Sequence, residues 1–189
     1  MENANLSRSQ VDQRVTNEAA LVEEARHNPE AFAALYRCYL TPLYRYLYRR
    51  LSNAHDAEDL TTQVFIDALE GLATLHYREG GCFVAWLFTI ARRRLVDFYR
   101  QRPSAPLDDP ASPEPGLLNV IEKGQDVQRL AYLVSRLDED QQELLRLRFS
   151  AGLSFSEMSI LDGRSEAAVK MAVYRTIDFL REHWEIENE

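Results

Sequence analysis

Apolar residues recur three and four positions apart along most of this 189-residue chain, which is the period of an α-helix. The chain has no sustained alternation of apolar and polar residues and no Asn-Gly turn that would indicate a β-hairpin. Five of its seven prolines fall between residues 101 and 116, mixed with serine, alanine and aspartate, and this composition interrupts helices. The pattern predicts an all-α protein with two small helical domains, 18–102 and 126–184, joined by a flexible, acidic, proline-rich linker over 103–125, with tails at 1–17 and 185–189.

Three helix starts can be located in the first domain. Asn28 can cap a helix with Pro29 at its first position, and Pro42 is expected to begin a further helix. Asp56 is expected to cap the next one, with Asp59 three residues later.

The helix that begins near Asp56 combines an apolar stripe with an acidic face. The stripe is predicted to face the core and consists of Leu60, Val64, Ala68 and Leu72, flanked by Phe65 and Leu69. At 100° per residue, Ile66 falls in the middle of the opposite side. Its surroundings there are polar: Glu58, Asp59, Thr62, Gln63, Asp67 and Glu70. An apolar residue ringed by acids suits a protein interface with a basic rim, but an exposed aliphatic residue without a function explains it equally well.

A second amphipathic helix, from about Phe83 to Arg100, places basic residues together. Its outer arc is predicted to carry Thr89, Arg92, Arg93, Val96 and Arg100. The chain has a formal net charge of -8, so this basic row indicates a local site for a polyanion such as a phosphate backbone. Arg94 falls inside the apolar arc and is expected to pair with a carboxylate of the acidic helix. The preceding loop contains Tyr77 and Arg78, groups on which an unstacked base can rest.

The second domain shows a helix-turn-helix pattern. Asp138 with Gln141 and Ser154 with Glu157 are capping boxes, and the helix that begins at Asp138 is expected to continue through Phe149. A turn at Asp162, Gly163 and Arg164 then leads to a helix capped by Ser165. This second helix is predicted to present to a DNA major groove Ala167, Ala168, Lys170, Met171, Tyr174 and Arg175, with Arg164 and Ser165 at its start. Two-helix corners without a DNA partner show the same spacing, so both interpretations stand.

Composition narrows the class of protein. Hydrophobic residues make up 46% and charged residues 28%, as in ordinary globular proteins. No apolar stretch approaches the ~20 residues of a membrane span, and the first 17 residues lack the features of a signal peptide, so a cytoplasmic location is expected. Cys38 and Cys82 are expected to be buried free thiols. No phosphate loop, metal cluster or nucleophile with its base is present, so neither a cofactor nor an enzymatic activity is predicted.

These motifs together resemble the extracytoplasmic-function sigma factors of the sigma-70 family, over about Ala31 to Arg181. The residues that carry the resemblance are Asp56 to Thr61 with Val64 and Phe65, then Phe83 to Arg92, then Leu153, Ser154, Glu157, Gly163, Ser165, Val169, Lys170 and Arg175. The resemblance implies that the first domain is region 2, which binds the clamp helices of the largest catalytic subunit of core RNA polymerase through the Asp56 helix. It also implies that this region melts and reads the minus-ten element. The polymerase-binding residues would be Asp56, Glu58, Asp59, Thr62, Gln63, Ile66, Asp67 and Glu70, and the minus-ten residues Tyr77, Arg78, Thr89, Arg92, Arg93, Val96 and Arg100.

The resemblance also implies a role for the second domain. As region 4, it would read the minus-thirty-five element in the major groove through the residues from Arg164 to Arg175 named above and would touch the polymerase flap. An anti-sigma protein is a further expected partner, since the acidic regions and the linker suit such capture.

Several positions depart from the family pattern. Thr62 and Gln63 stand where Gln and Glu are usual, and Arg93 replaces a common Asn. Asp162 occupies a position that normally holds a core Leu, and a carboxylate in a core is costly, so the turn is expected to be reshaped with Leu161 rotated inward. Ala168 and Met171 replace small polar groups, which predicts tolerant recognition of the upstream element.

Two other classes of protein remain open at this point. One is a helix-turn-helix regulator that binds DNA without polymerase, and the other is a sigma-like adaptor or decoy that binds polymerase without starting transcription. Tight promoter binding by the free protein would indicate the first. Core binding without initiation would indicate the second.

Overall fold

The computed structural model describes residues 18–75, 82–101 and 120–186, and within these ranges the protein contains helices and no strand. The all-α prediction is confirmed. The helices are α1 (described from 18 to 25), α2 (Pro29–Leu51), α3 (Ala54–Gly71), a 3-10 turn (Leu72–Thr74), α4 (Phe83–Gln101), α5 (Val120–Ser135), α6 (Glu139–Leu145), a π-helical turn (Arg146–Ser150), α7 (Phe155–Asp162) and α8 (Glu166–Ile186).

Helix α2 begins as predicted but does not stop at Pro42. The Asn28 side chain accepts a hydrogen bond from the Glu30 backbone N–H at 3.0 Å, and Pro29 occupies the first turn. Pro42 lies inside one continuous helix, so the prediction of a separate helix after Pro42 is wrong. The buried stripe explains the continuation, because it runs across Pro42 without a change of period and includes Ala31, Leu35, Tyr39, Leu43, Tyr46 and Leu47.

Helix α3 starts earlier than predicted. Asn53, in extended conformation, caps it and accepts a hydrogen bond from the Asp56 backbone N–H at 3.1 Å. Asp56 is therefore a first-turn residue rather than the cap. An acid at this place still interacts favourably with the positive end of the helix dipole.

Aromatic side chains fill the core between α2, α3 and α4. Tyr46 and Phe88 are fully buried and their ring centroids lie 5.1 Å apart. Phe83, at the start of α4, packs against Tyr39 with centroids 5.6 Å apart. These contacts place α4 against α2 and fix which of its faces points outward.

The C-terminal helices follow the predicted capping signals. Both capping boxes, Asp138 with Gln141 and Ser154 with Glu157, are confirmed by reciprocal hydrogen bonds. The helix from Asp138 changes to a π-helical turn at Arg146, and Phe149 is 64% exposed. The helical path thus continues through Phe149 as expected, but its last turn is π-helical.

Helix α5 begins at Val120, before the boundary predicted at 126, so residues 120–125 of the predicted linker are helical. Its Arg129 donates a hydrogen bond to the Trp184 carbonyl at 2.6 Å, which joins α5 to α8. Residues 103–119, in which the rest of the predicted linker falls, lie outside the described residues, as do 1–17 of the N-terminal tail and 187–189 of the C-terminal tail.

The N-terminal helices α1–α4 and the C-terminal helices α5–α8 pack against each other. One cluster of buried apolar residues continues from Leu43 and Leu47 in α2 to Leu144 and Leu147 in the C-terminal helices. Helix α7 also lies against α4. This contact brings side chains of the predicted DNA-binding helix α4 close to the C-terminal helices.

The two cysteines differ in their surroundings. Cys38 is exposed, so the expectation that it is buried is wrong, whereas Cys82 is partly buried. Burial raises the pKa of the Cys82 thiol to about 12. Within the described ranges, no helix is long and apolar enough to cross a membrane.

Candidate protein and nucleic-acid interfaces

The outer face of α3 presents an apolar residue within an acidic surface. Ile66 is 44% exposed, as its helical position predicted. The polar residues of this face that are exposed with it are Glu58, Asp59, Thr62 and Glu70. Such a face can dock onto a partner that offers an apolar contact and a basic rim.

A second apolar residue extends this surface. Leu69 is 53% exposed. The prediction that it flanks the buried stripe of α3 is therefore wrong. Ile66 and Leu69 stand three residues apart and therefore lie next to each other on the helix surface. This spacing was the sequence signal that could have identified Leu69 as a site residue.

Three predicted members of the same face are less available. Asp56, Gln63 and Asp67 are only partly exposed. Arg94 donates to Asp67 through Nε and Nη2, both at 2.5 Å, and Gln63 donates to Asp67 at 3.2 Å. The predicted pairing of Arg94 with the acidic helix is confirmed. The hydrogen bond from Arg94 lowers the pKa of Asp67, and this bidentate pair fixes α4 against α3.

Helix α4 presents most of its predicted outer arc to solvent. Thr89, Arg93, Val96 and Arg100 are exposed, and Val96 is 57% exposed. The Thr89 hydroxyl donates back to the Ala85 carbonyl at 2.8 Å. Two exposed guanidinium groups and an apolar side chain on one face suit contact with a nucleic-acid backbone. The remaining predicted residues of this surface, Tyr77 and Arg78, lie outside the described residues.

Arg92 departs from this arrangement. Its side chain is only 32% exposed, which corrects its assignment to an open outer arc. It points at the C-terminal helices, where Nε donates to Glu143 Oε1 at 3.1 Å and Nη2 donates to Asp162 Oδ1 at 2.9 Å. Asp162 is thereby paired, with its side chain 8% exposed, while Leu161 is partly buried against the core.

Further charged groups join Arg92 between the two sets of helices. Arg50 of α2 pairs with Glu139 and lies 3.6 Å from Glu143 Oε2, and the buried Tyr46 hydroxyl donates to Glu143 Oε1 at 2.7 Å. Burial lowers the pKa of Arg92, but Glu143 and Asp162 outweigh this effect and raise it overall. We call the set of Arg50, Arg92, Glu139, Glu143 and Asp162 the Arg92 ion-pair cluster.

Helix α1 anchors the backbone on both sides of residues 76–81, a role that the sequence analysis missed. The buried Glu18 carboxylate accepts hydrogen bonds from the Phe83 backbone N–H at 2.5 Å and from the Tyr39 hydroxyl. Arg26, in the turn that follows α1, donates to the Leu75 carbonyl. Because Arg26 lies beyond the end of α1, helical spacing gave no sequence signal for this pair.

Most residues of the predicted outer face of α8 are exposed. Ser165 Oγ accepts a hydrogen bond from the Ala168 backbone N–H at 3.2 Å, which confirms its capping role. Gly163 adopts φ 67 in the turn that joins α7 to α8, a left-handed conformation that favours glycine. The exposed residues of this face are Ser165, Ala167, Ala168, Lys170, Met171, Tyr174 and Arg175, whereas Arg164 is partly buried.

The partners of these residues limit what the α8 face can offer. Arg164 donates to Asp140 at 2.6 Å, and the Lys170 ammonium lies 5.8 Å from the Tyr174 ring centroid. Ala167, Ala168 and Met171 supply no hydrogen-bond donor through their side chains. The face is thus basic and largely apolar. No group of three or more His, Cys, Asp or Glu residues that could hold a metal occurs in the part of the chain that the structure describes.

Comparison with known proteins shows the family to which the chain belongs. Residues 35–104 match the family model for sigma-70 region 2. The chain is 36% identical over 168 residues to the ECF RNA polymerase sigma factor BldN of Streptomyces coelicolor. This alignment covers 83% of the chain but only 62% of BldN. The chain is also 30% identical over 174 residues to the ECF RNA polymerase sigma factor RpoE of Cereibacter sphaeroides. This alignment covers 89% of the chain and 95% of RpoE.

A solved structure shows the same fold. CnrH, in its complex with the cytosolic domain of CnrY, superposes with a TM-score of 0.60 at 21% identity, over 89% of this chain and 97% of that chain. The helical fold, the match to region 2 and the similarity to RpoE over nearly its whole length agree with one another. The chain belongs to the extracytoplasmic-function (ECF) RNA polymerase sigma factors of the sigma-70 family.

Proposed function

We propose that this chain is a sigma subunit that acts in the cytoplasm, where it binds core RNA polymerase and directs initiation at particular promoters. The outer face of α3 docks on the clamp helices of the largest catalytic subunit. Helix α4 and residues 77–78 read and melt the minus-ten element. Helices α7 and α8 read the minus-thirty-five element and contact the polymerase flap.

The observation that carries this proposal is that the neighbouring helices α3 and α4 expose surfaces of different chemistry. The α3 face joins the exposed apolar pair Ile66 and Leu69 to acidic neighbours, which is the chemistry of a protein interface. The neighbouring α4 face exposes Arg93 and Arg100 around Val96, which is the chemistry of a phosphate-binding surface. A protein that holds polymerase through one helix and DNA through the next can act at a promoter only when both partners are present.

The net charge of -8 supports this dependence on polymerase. A chain of this charge repels DNA over most of its surface, so its basic faces bind weakly alone. When polymerase holds the chain beside the promoter, DNA contacts form as intramolecular ones and their weak affinity is sufficient. This argument disfavours the helix-turn-helix regulator that acts without polymerase.

The α8 face supports a tolerant reading of the upstream element. Lys170 and Arg175 are exposed and can contact phosphates, while Ala167, Ala168 and Met171 can pack against thymine methyl groups. Few side chains there can hydrogen-bond to base edges. We therefore expect mismatches in the minus-thirty-five element to cost less than the ~1–3 kcal/mol per base pair of hydrogen-bonded recognition.

Promoter opening by purified components tests the proposal. Core polymerase with this chain should give permanganate-reactive thymines at the minus-ten element of a promoter recovered from a genomic-fragment library. Arg93→Ala with Arg100→Ala should reduce opening about tenfold or more, since each lost phosphate contact weakens binding, while affinity for core polymerase stays unchanged.

The matched control removes the same charge from the same half of the protein. Arg45 and Arg49 are exposed on α2 and belong to none of the proposed surfaces, so Arg45→Ala with Arg49→Ala should open the promoter normally. Equal loss in both double variants would contradict the assignment of α4. Loss of core affinity in the α4 variant would show a general defect instead.

One observation favours a second candidate, a sigma-like adaptor or decoy. Arg92, a predicted DNA contact, is paired with two carboxylates in this arrangement, and a chain fixed in that state would bind polymerase without opening DNA. Binding to core polymerase with no opened promoter would establish this candidate. An anti-sigma protein that captures the acidic α3 face is part of either proposal.

A further inference from the structure

We propose that Glu18 of α1 is a positioning residue for the DNA-reading helix α4. Its carboxylate holds the first turn of α4 in place, and promoter opening depends on that contact. The inference rests on the proposed function, because that function assigns α4 to the minus-ten element. It adds a buried side chain, outside the proposed DNA and polymerase surfaces, to the residues that determine how the promoter is read.

The start of α4 has only a weak cap of its own. The first backbone N–H groups of a helix have no partner within the helix, and a side-chain oxygen of the preceding residue commonly satisfies one of them. Cys82 occupies that position in α4. Its sulfur accepts a hydrogen bond from the Ala85 backbone, but sulfur is a weak acceptor. Glu18 supplies an oxygen instead, since its Oε1 accepts a hydrogen bond from the Phe83 backbone N–H at 2.5 Å.

Burial makes this contact important. Glu18 is 5% exposed, and a buried carboxylate is costly unless it is hydrogen-bonded. Its second oxygen accepts a hydrogen bond from the Tyr39 hydroxyl, so one carboxylate joins α1, α2 and α4. The negative charge also interacts favourably with the positive end of the α4 dipole. Glu18 thus acts as a cap for α4 that comes from a distant part of the chain.

The first turn of α4 packs tightly against its neighbours. The Phe83 ring lies 5.6 Å from the Tyr39 ring of α2 and 5.6 Å from the Trp86 ring, measured between centroids. Trp86 in turn lies directly on the end of α3, where a Cβ added at Gly71 would come within 3.1 Å of its ring. A displacement of this turn would therefore disturb its packing on both α2 and α3.

Separate contacts hold the rest of α4. Arg94 donates two hydrogen bonds to Asp67 of α3, and the Tyr99 hydroxyl donates to a backbone carbonyl of α2 at 2.5 Å. Loss of Glu18 should therefore displace the start of α4 without unfolding the helix. Thr89 lies within two turns of that start, and it is the first described residue of the proposed minus-ten surface.

Amide hydrogen exchange in the free full-length chain measures the contact directly. Glu18→Ala should make the Phe83 N–H exchange about tenfold faster or more, since a hydrogen bond to a charged group is lost. The Leu95 N–H, later in α4, should exchange as before. Glu18→Gln keeps the shape of the side chain and should give a smaller increase. Equal exchange of Phe83 in the unmodified chain and in Glu18→Ala would overturn the proposal.

Promoter opening with core polymerase measures the consequence. Glu18→Ala should reduce opening about threefold to tenfold, because fewer chains hold α4 in the competent position, while affinity for core polymerase stays unchanged. It should also alter the relative opening of promoters that differ at one minus-ten base. Loss of folded protein lowers opening at every promoter by the same factor, and such a uniform loss would refute a positioning role.

Two matched variants separate positioning from charge and from stability. Glu24→Ala removes the same charge from an exposed position of α1 and should open promoters like the unmodified chain. Val64→Ala removes apolar contacts from the buried core of α3, so it should lower stability and leave the relative opening of minus-ten variants unchanged. A change in relative opening in either control as large as in Glu18→Ala would contradict the assignment.

A new cap at the start of α4 provides a rescue experiment. Cys82→Ser places an oxygen where the sulfur already meets the Ala85 backbone, and serine is a preferred capping residue. Combined with Glu18→Ala, it should restore part of the lost opening. No recovery would show that Glu18 does not act through the start of α4. If the unmodified chain opened no promoter with core polymerase, the proposed function would fail, whereas hydrogen exchange would still decide whether Glu18 holds α4.

Discussion

Replacing Ile66 by aspartate tests whether α3 binds polymerase, and its effect can be worked from the structure. Full burial of an isoleucine contributes about 1.5–3 kcal/mol. Ile66 is 44% exposed in the free chain. Burial of this exposed part at an interface therefore contributes about 0.7–1.3 kcal/mol. A carboxylate left without a partner there costs a further ~1–3 kcal/mol. We therefore expect Ile66→Asp to weaken core binding about 15-fold or more.

Fluorescence anisotropy of the labelled chain, titrated with core polymerase, measures this change. Ile66→Ala should weaken binding about threefold to ninefold, since it removes the apolar contact without adding a charge. Val127→Asp is the matched control, because Val127 of α5 is 42% exposed and belongs to none of the proposed surfaces. It should bind core like the unmodified chain.

Two results would refute the reasoning. Unchanged affinity of Ile66→Asp would remove the α3 face from the polymerase interface. Equal weakening by Ile66→Asp and Val127→Asp would show that added negative charge, rather than lost contact at α3, determines the affinity.

The remaining predictions concern buried groups. Glu18→Gln should lower the unfolding free energy by about 1–3 kcal/mol in denaturant titrations, since the charged acceptor of the Phe83 N–H is lost; an unchanged midpoint would contradict this. Iodoacetamide at pH 8 should alkylate the exposed Cys38 and leave Cys82 unmodified in the native chain. The reason is that burial raises the pKa of the Cys82 thiol to about 12 from an ordinary 9.0. Labelling of Cys82 in the native chain would contradict its partial burial. The same raised pKa predicts that the contribution of Cys82 to stability is complete below about pH 9 and is lost between pH 9 and 12, as the unfolded chain ionises first.

Local signals allowed much of the fold to be predicted from the sequence. The capping boxes at Asp138 and Ser154 and the cap at Asn28 involve residues two or three positions apart, so the sequence alone contains both partners. Pro42 misled the prediction because a local rule for proline was applied where the buried stripe of α2 continues. Packing of that stripe against the other helices outweighs the lost backbone hydrogen bond.

The candidate sites were predictable only in part, for a physical reason. Helical periodicity correctly predicted that Ile66 and Arg93 are exposed, because the angular position of a residue around the helix axis determines which side of the helix it lies on. Arg92 shares that angular range but is paired with residues 51 and 70 positions away along the chain. The period of apolar residues within α4 contains no information about such distant partners, so the pairing of Arg92 with Glu143 and Asp162 could not be predicted.

The central claim, that this chain gives core polymerase its promoter specificity, is tested most directly by mapping transcription start sites. Purified core RNA polymerase would transcribe a genomic-fragment library with and without the chain. The account predicts new, defined start sites that share a minus-ten and a minus-thirty-five element and that disappear with Ile66→Asp. An unchanged set of starts, with core binding confirmed by co-elution, would contradict it.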